Sequence, residues 1–166
     1  MQGYYIAVRM ILTLLIHEVL ITWAHLLAAS IWVGGTLFIG LVIAPVLRSG
    51  LSDAERFNLT VRIGKRFNKV AVPAIAVLLA TGVYKAATVQ EFLLGTMYGS
   101  ILFVKIGIVI SMLITWLVHA KISNVNIDVN DSVNLMRVRR RAVVLGNILA
   151  AQSVTVLLLA AMLDSF

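Results

Sequence analysis

His25-Leu-Leu-Ala-Ala-Ser-Ile-Trp-Val-Gly-Gly-Thr-Leu-Phe38 sits inside an almost unbroken apolar run from Met10 to Leu47. At helical spacing Glu18, Thr22, His25, Ala29, Trp32 and Thr36 fall three and four residues apart on one stripe. A helix apolar all round except for one such stripe belongs in a bilayer, where a span takes about 20 residues. An imidazole and a carboxylate are costly there unless they face other protein, water or a ligand. His25 is therefore the first candidate for function.

The whole chain agrees with its first helix. Of 166 residues, 61% are hydrophobic, and the mean hydropathy is +1.00, whereas a soluble domain is about 45–50% apolar. The length suits one membrane domain, 1–166, with no separate soluble part. The net charge of +7 does not call for nucleic acid, because the basic residues gather in two short loops. Cysteine is absent, which excludes disulfides, thiolate metal sites, iron–sulfur clusters and covalently attached haem. The first apolar run is too long for a cleavable signal peptide and lacks a basic leader apart from Arg9.

The pattern predicts an all-α integral membrane protein: a four-transmembrane-helix antiparallel bundle with an extra N-terminal helical segment and an amphipathic cytoplasmic helix. Residues 1–19 read as an interfacial or protruding segment, the alternative being one long tilted helix. Spans follow at about 21–46, 70–87, 100–120 and 142–163. Ser52-Asp-Ala-Glu55 is a capping box that starts the amphipathic segment, and Pro73 falls in the first turns of the second span, where proline is tolerated. Thr88 to Gly99 is a nearly neutral connection, and Ser123 to Ser132 a polar linker. Of 14 Lys and Arg, six lie in 48–69 and five in 121–141. Both loops are thus expected in the cytoplasm and both termini outside, in the cytoplasmic membrane. The glycosylation sequons at Asn58 and Asn130 would demand the opposite side and are outweighed by those charges. No repeat of fixed period is evident.

Several side chains on the spans are candidates for chemistry. Neutral imidazole suits copper and haem iron alike, so His25 reads either as a metal ligand or as a hydrogen-bonded packing residue. Small residues around it (Ala24, Ala28, Ala29, Gly34, Gly35) serve close helix packing or leave room for a flat macrocycle. At 1.5 Å per residue His25 lies about 30 Å above the inner end of its helix, Lys105 about 24 Å above Lys121, and His119 only about 3 Å above it. His25 and Lys105 can therefore meet near the outer face, whereas His25 and His119 cannot share one iron. Lys105 reads as a snorkelling cation, an anion contact or a ligand amine. His119 reads as a helix-end cation or a ligand. His17 and Glu18 read as a solvated helix end or an entry site for a cationic metal. Trp32 and Trp116 lie away from the interfacial belt, which suits packing against a neighbour or a cofactor. Asn147, Gln152 and Thr155 are expected to hydrogen-bond between helices, and Arg137 to Arg141 to contact anionic lipid. No carboxylate pair, phosphate loop or HExxH occurs in the spans, so an enzymatic reading has to be redox, with a cofactor doing the hard step.

The stretch from His25 to Gly35 resembles the first-helix signature of the copper-resistance protein D (CopD) family. Arg66-Phe-Asn-Lys-Val-Ala with Leu79-Ala-Thr-Gly-Val-Tyr84 is similar to that family's next helix, and Leu102-Phe-Val-Lys105 to the opening of the one after. The resemblance covers nearly all of the chain past residue 20. It implies an inner-membrane helical domain of copper uptake or tolerance, with a periplasmic copper protein as partner. The pattern is also similar to the membrane-type protoporphyrinogen oxidases, which implies haem b held by His25 and Lys105. The fourth helix, Arg141 to Gln152, lacks the Asn-Glu-Pro-like element of those oxidases.

The expectation is a membrane protein that binds copper or haem b in the outer half of the bundle, for copper handling or membrane electron transfer. In the haem version His25 is an axial ligand, Lys105 contacts iron or a propionate, and any activity is that of a haem-dependent membrane oxidoreductase. In the copper version His17, Glu18 and His25 guide the ion from outside. The competing class is a non-catalytic structural subunit, packed against other membrane subunits through its small-residue faces.

Overall fold

The computed structural model describes residues 1–88, 95–123 and 132–165. Every regular element among them is helical, with no strand. Four helices are long and apolar enough to cross a membrane, over Tyr4–Arg48, Asn58–Thr88, Met97–Ile122 and Met136–Asp164. The polar linker read between Ser123 and Ser132 and most of the connection between Thr88 and Gly99 lie outside the described residues.

The first helix differs from the expected segment-plus-span. Gln2–Ala29 is one uninterrupted α-helix, continued by wider π-helical turns at Ser30–Gly34 and Ile39–Ile43 and by α-helical Gly35–Phe38 and Ala44–Arg48. The physical reason is in the residues: neither glycine nor proline occurs between Gly3 and Gly34, so nothing local breaks the backbone ladder. Its 45-residue apolar stretch is about 68 Å long, over twice the thickness of a hydrocarbon core. The wider turns fall where Gly34, Gly35 and Gly40 lack a Cβ and where Pro45 cannot donate to the carbonyl of Leu41.

The second helix, Asp53–Thr88, merges the expected amphipathic segment with the second span. Its start is the capping box: Ser52 N–H donates to Glu55 Oε2 at 3.0 Å, and Glu55 N–H donates to Ser52 Oγ at 3.4 Å. Ser52 Oγ also donates to that carboxylate, which holds Glu55 below the ordinary glutamate pKa. Because the helix starts here, Pro73 lies in its interior rather than its first turns, and the carbonyl of Lys69 loses its usual donor. Arg56 closes the connection to the first helix: its guanidinium donates to the carbonyls of Leu47, Arg48 and Leu51 at 3.0–3.2 Å. The first two are orphan acceptors at the end of the first helix, and Leu51 belongs to the connection. Between them Gly50 turns the chain with a φ of +82°, which a side chain would resist.

The third helix, Met97–Ser123, is capped by Thr96, whose Oγ1 accepts the Gly99 N–H at 3.0 Å. The fourth is Ser132–Asp164. The first helix packs on the second and the third on the fourth. One buried cluster joins all four: Trp32, Ala71 and Ile75, Met112, and Leu149. The outward faces are apolar too, with Trp23, Leu26, Val83, Ile114 and Leu158 all exposed. Water would not tolerate so much apolar surface, and lipid would.

Of the polar residues expected between helices, Gln152 bridges to the third helix, donating from Nε2 to Ser111 Oγ at 2.9 Å. Thr155 instead donates to Ala151 of its own helix, the local alternative open to any helical threonine. Asn147 faces outward.

Candidate functional site

Contacts between the first two helices build the site. Glu18 meets Tyr84, Thr22 meets Lys85, His25 meets Thr81, and Gly35 meets Phe67. From Thr22 to Gly35 the partners descend along the second helix, from Lys85 through Thr81 to Phe67, as residue numbers climb along the first. Gly35 permits the approach, since an added Cβ would collide with the Phe67 ring.

His25 is half-buried, with Nδ1 2.7 Å from Thr81 Oγ1. Thr81 Oγ1 also lies 2.6 Å from the carbonyl of Val77. A hydroxyl has one proton, and a carbonyl can only accept it. With that proton on Val77, the short contact to His25 requires a proton on Nδ1. The neutral ring then keeps its lone pair on Nε2, for which no protein partner exists among the described residues. This is the arrangement by which proteins orient a metal-binding imidazole. Gly82 adjoins the ring, and a Cβ there would sit 3.5 Å from His25 Cε1, in ordinary contact.

Two ammonium charges act on this imidazole. Lys85 on the second helix and Lys105 on the third are both half-buried, and the charge of each reaches His25. Lys85 also acts on Lys105 and donates to Thr22 Oγ1 at 3.2 Å. Among the described residues neither lysine has an ion-pair partner, and Glu18 Oε1 accepts from Tyr84 OH at 2.9 Å. His17 lies edge-on to the Tyr84 ring, with Nδ1 3.3 Å from its hydroxyl. His17 and Glu18 thus stand together on Tyr84, two turns above His25.

The other candidates lie elsewhere. Trp32 packs in the core, two turns deeper than His25, against Ala71, Ile75, Met112 and Leu149. Trp116 Nε1 donates to Asn68 Oδ1 at 3.4 Å. His119 lies near the end of the third helix, far along it from Lys105. Among the described residues no three His, Cys, Asp or Glu side chains converge, so His17, Glu18, His25 and His119 form no common ligand cage.

Sequence reasoning missed Thr81, Tyr84 and Lys85. They lie three and four residues apart on one face, the same spacing that picked out the stripe on the first helix.

A family model described as a domain of unknown function, DUF4149, matches residues 27–125. The match carries Thr81, Tyr84, Lys85, Lys105 and His119, and begins two residues after His25. The chain is also 33% identical over 104 residues to the copper transport protein CutJ of Bacillus subtilis (strain 168). That alignment covers 61% of this chain and 18% of CutJ, so the chain spans less than a fifth of that relative's length. No solved structure matches it.

Proposed function

The chain belongs to the DUF4149 family of domains of unknown function, and from that premise we propose that it is a multi-pass membrane protein of copper handling, with His25 Nε2 as its metal-coordinating atom. The observation that carries this reading is the 2.7 Å contact that commits Nδ1 to Thr81 and leaves the other nitrogen free. The likeness to a copper transport protein supports the choice of metal. Copper is cargo here. His17, Glu18 and Tyr84 form the outer approach, and His25 the deeper stop.

The proposal includes the architecture around the site: one antiparallel bundle in the cytoplasmic membrane, loops 48–69 and 121–141 in the cytoplasm, both termini outside. Eleven of the 14 cations lie on the side so assigned. A periplasmic copper protein is the expected partner.

A second reading is favoured by one observation. Three basic groups, His25, Lys85 and Lys105, act on one another electrostatically and have no ion-pair partner among the described residues, a setting that repels a bare cation and suits an anion-bearing ligand. Haem b fits that charge: His25 would hold its iron and the two lysines its propionates, and the group would supply one-electron chemistry.

The test is the purified protein's visible spectrum, oxidised and reduced, with elemental analysis. Stoichiometric copper without a Soret band, lost in His25→Ala, supports copper handling. A Soret band lost in the same variant transfers the site to haem. Neither, with tightly co-purifying subunits, supports a structural subunit and overturns the metal reading.

A further inference from the structure

The outward face of the second helix changes character along its length. Arg62, Lys65, Arg66 and Lys69 recur three and four residues apart and line one pocket. All four are exposed, and none has a hydrogen-bond or ion-pair partner among the described residues. The helix's inward residues Phe67, Ala71, Ala74, Ile75 and Leu78 occupy the other side, so the cations point away from the bundle and away from the His25 site.

One turn further on, the same outward face becomes wholly apolar. Val72, Ala76, Ala80 and Val83 continue the stripe and are exposed. The cationic part is about 10 Å long, and the apolar part, Val72 to Val83, about 17 Å. Those lengths correspond to a headgroup layer followed by one leaflet of a hydrocarbon core about 30 Å thick.

We propose that this face is a binding strip for one anionic phospholipid, its phosphate held by Arg62, Lys65, Arg66 and Lys69 and its acyl chain laid along Val72, Ala76, Ala80 and Val83. Orientation of the chain by its charge needs cations only somewhere in the loop. It needs neither their convergence on one face nor the alignment of that face with an uninterrupted apolar strip. Guanidinium groups match phosphate bidentately, and the lysines add point charges. A soluble phosphate would use the cations alone, whereas a lipid uses both halves. The strip is independent of the metal reading, because it faces the opposite way from His25.

The experiment uses the full chain in micelles of a neutral detergent, with phosphatidylglycerol carrying a photoreactive diazirine in its acyl chain. Cross-links are located by mass spectrometry. The expected result is labelling concentrated at Val72, Ala76, Ala80 and Val83, competed by unlabelled phosphatidylglycerol and not by inorganic phosphate. Each cation near an anionic headgroup is worth about a factor of five, so Arg62→Gln with Arg66→Gln weakens binding about thirtyfold. Arg137→Gln with Arg140→Gln, the same charge change on another helix, leaves it in place. Val72→Asn with Ala76→Asn weakens it with every cation retained, and His25→Ala does not change it. Labelling spread evenly over all four helices, equal losses in the two arginine pairs, or displacement by inorganic phosphate would each overturn the assignment.

Discussion

His25 Nδ1 lies 2.7 Å from Thr81 Oγ1, and the two residues stand on different helices 56 positions apart. The bond holds the imidazole at this depth and orientation, and with the Thr81 hydroxyl donating to the carbonyl of Val77, Nδ1–H is the donor to Thr81. The lone pair on Nε2 is the consequence. Thr81→Val keeps the side chain's shape and removes the acceptor, which is expected to lower metal or haem retention by about 10–100-fold. Thr81→Ser is expected to restore it. Circular dichroism should show the same helix content in all three proteins, and unchanged retention in Thr81→Val would remove Thr81 from the site.

Lys85 and Lys105 give opposite results for the two ligands. A single ammonium within about 8 Å changes the affinity for a charged ligand by roughly tenfold. Replacing either lysine with methionine keeps the stem and removes the charge. Under the copper reading, titration with copper should then show tighter binding. Under the haem reading, the Soret band per protein should fall. No change in either would place both lysines outside the site.

Gly35 and Phe67 test the packing of the first two helices. An added methyl at Gly35 collides with the ring, so Gly35→Ala is expected to destabilise the protein by about 1–3 kcal/mol. Phe67→Leu should relieve much of that loss. A double-mutant cycle measured by thermal unfolding in detergent checks the coupling, and simple additivity would contradict the contact.

The capping box makes the start of the second helix acid-sensitive. The bonds from Ser52 hold Glu55 below its ordinary pKa, so the folded state binds that proton less readily than the unfolded chain. The stabilisation is fully present above the unfolded pKa and is lost as pH falls through the folded one. Amide exchange at the first turn of Asp53–Thr88 should accelerate in that acid range, and Glu55→Gln should abolish the pH dependence. An unchanged pH profile in Glu55→Gln would show that another group is responsible.

Much of this was legible in the residues, for reasons that can be named. Apolar periodicity predicted four spans, and the structure has four helices of sufficient length and hydropathy. Ser52 and Glu55 announced their helix start because a capping box is local chemistry. The continuity of the first helix was harder to read: the apolar run is about twice the length of a span, which suits a protruding segment and one long tilted helix alike, but no breaker is present between Gly3 and Gly34. The pairing of His25 with Thr81 was not legible, because it depends on how two helices dock, and no local pattern identifies the partner of a close-approach residue such as Gly35.

The most direct measurement of the central claim is pulsed electron paramagnetic resonance of the copper(II)-loaded protein with ¹⁵N-labelled histidine. A coordinated imidazole reports its remote nitrogen, which here is the Nδ1 that donates to Thr81. One such histidine signal is expected, absent in His25→Ala and altered in Thr81→Val. A signal that survives His25→Ala, or that ignores Thr81→Val, would contradict the claim.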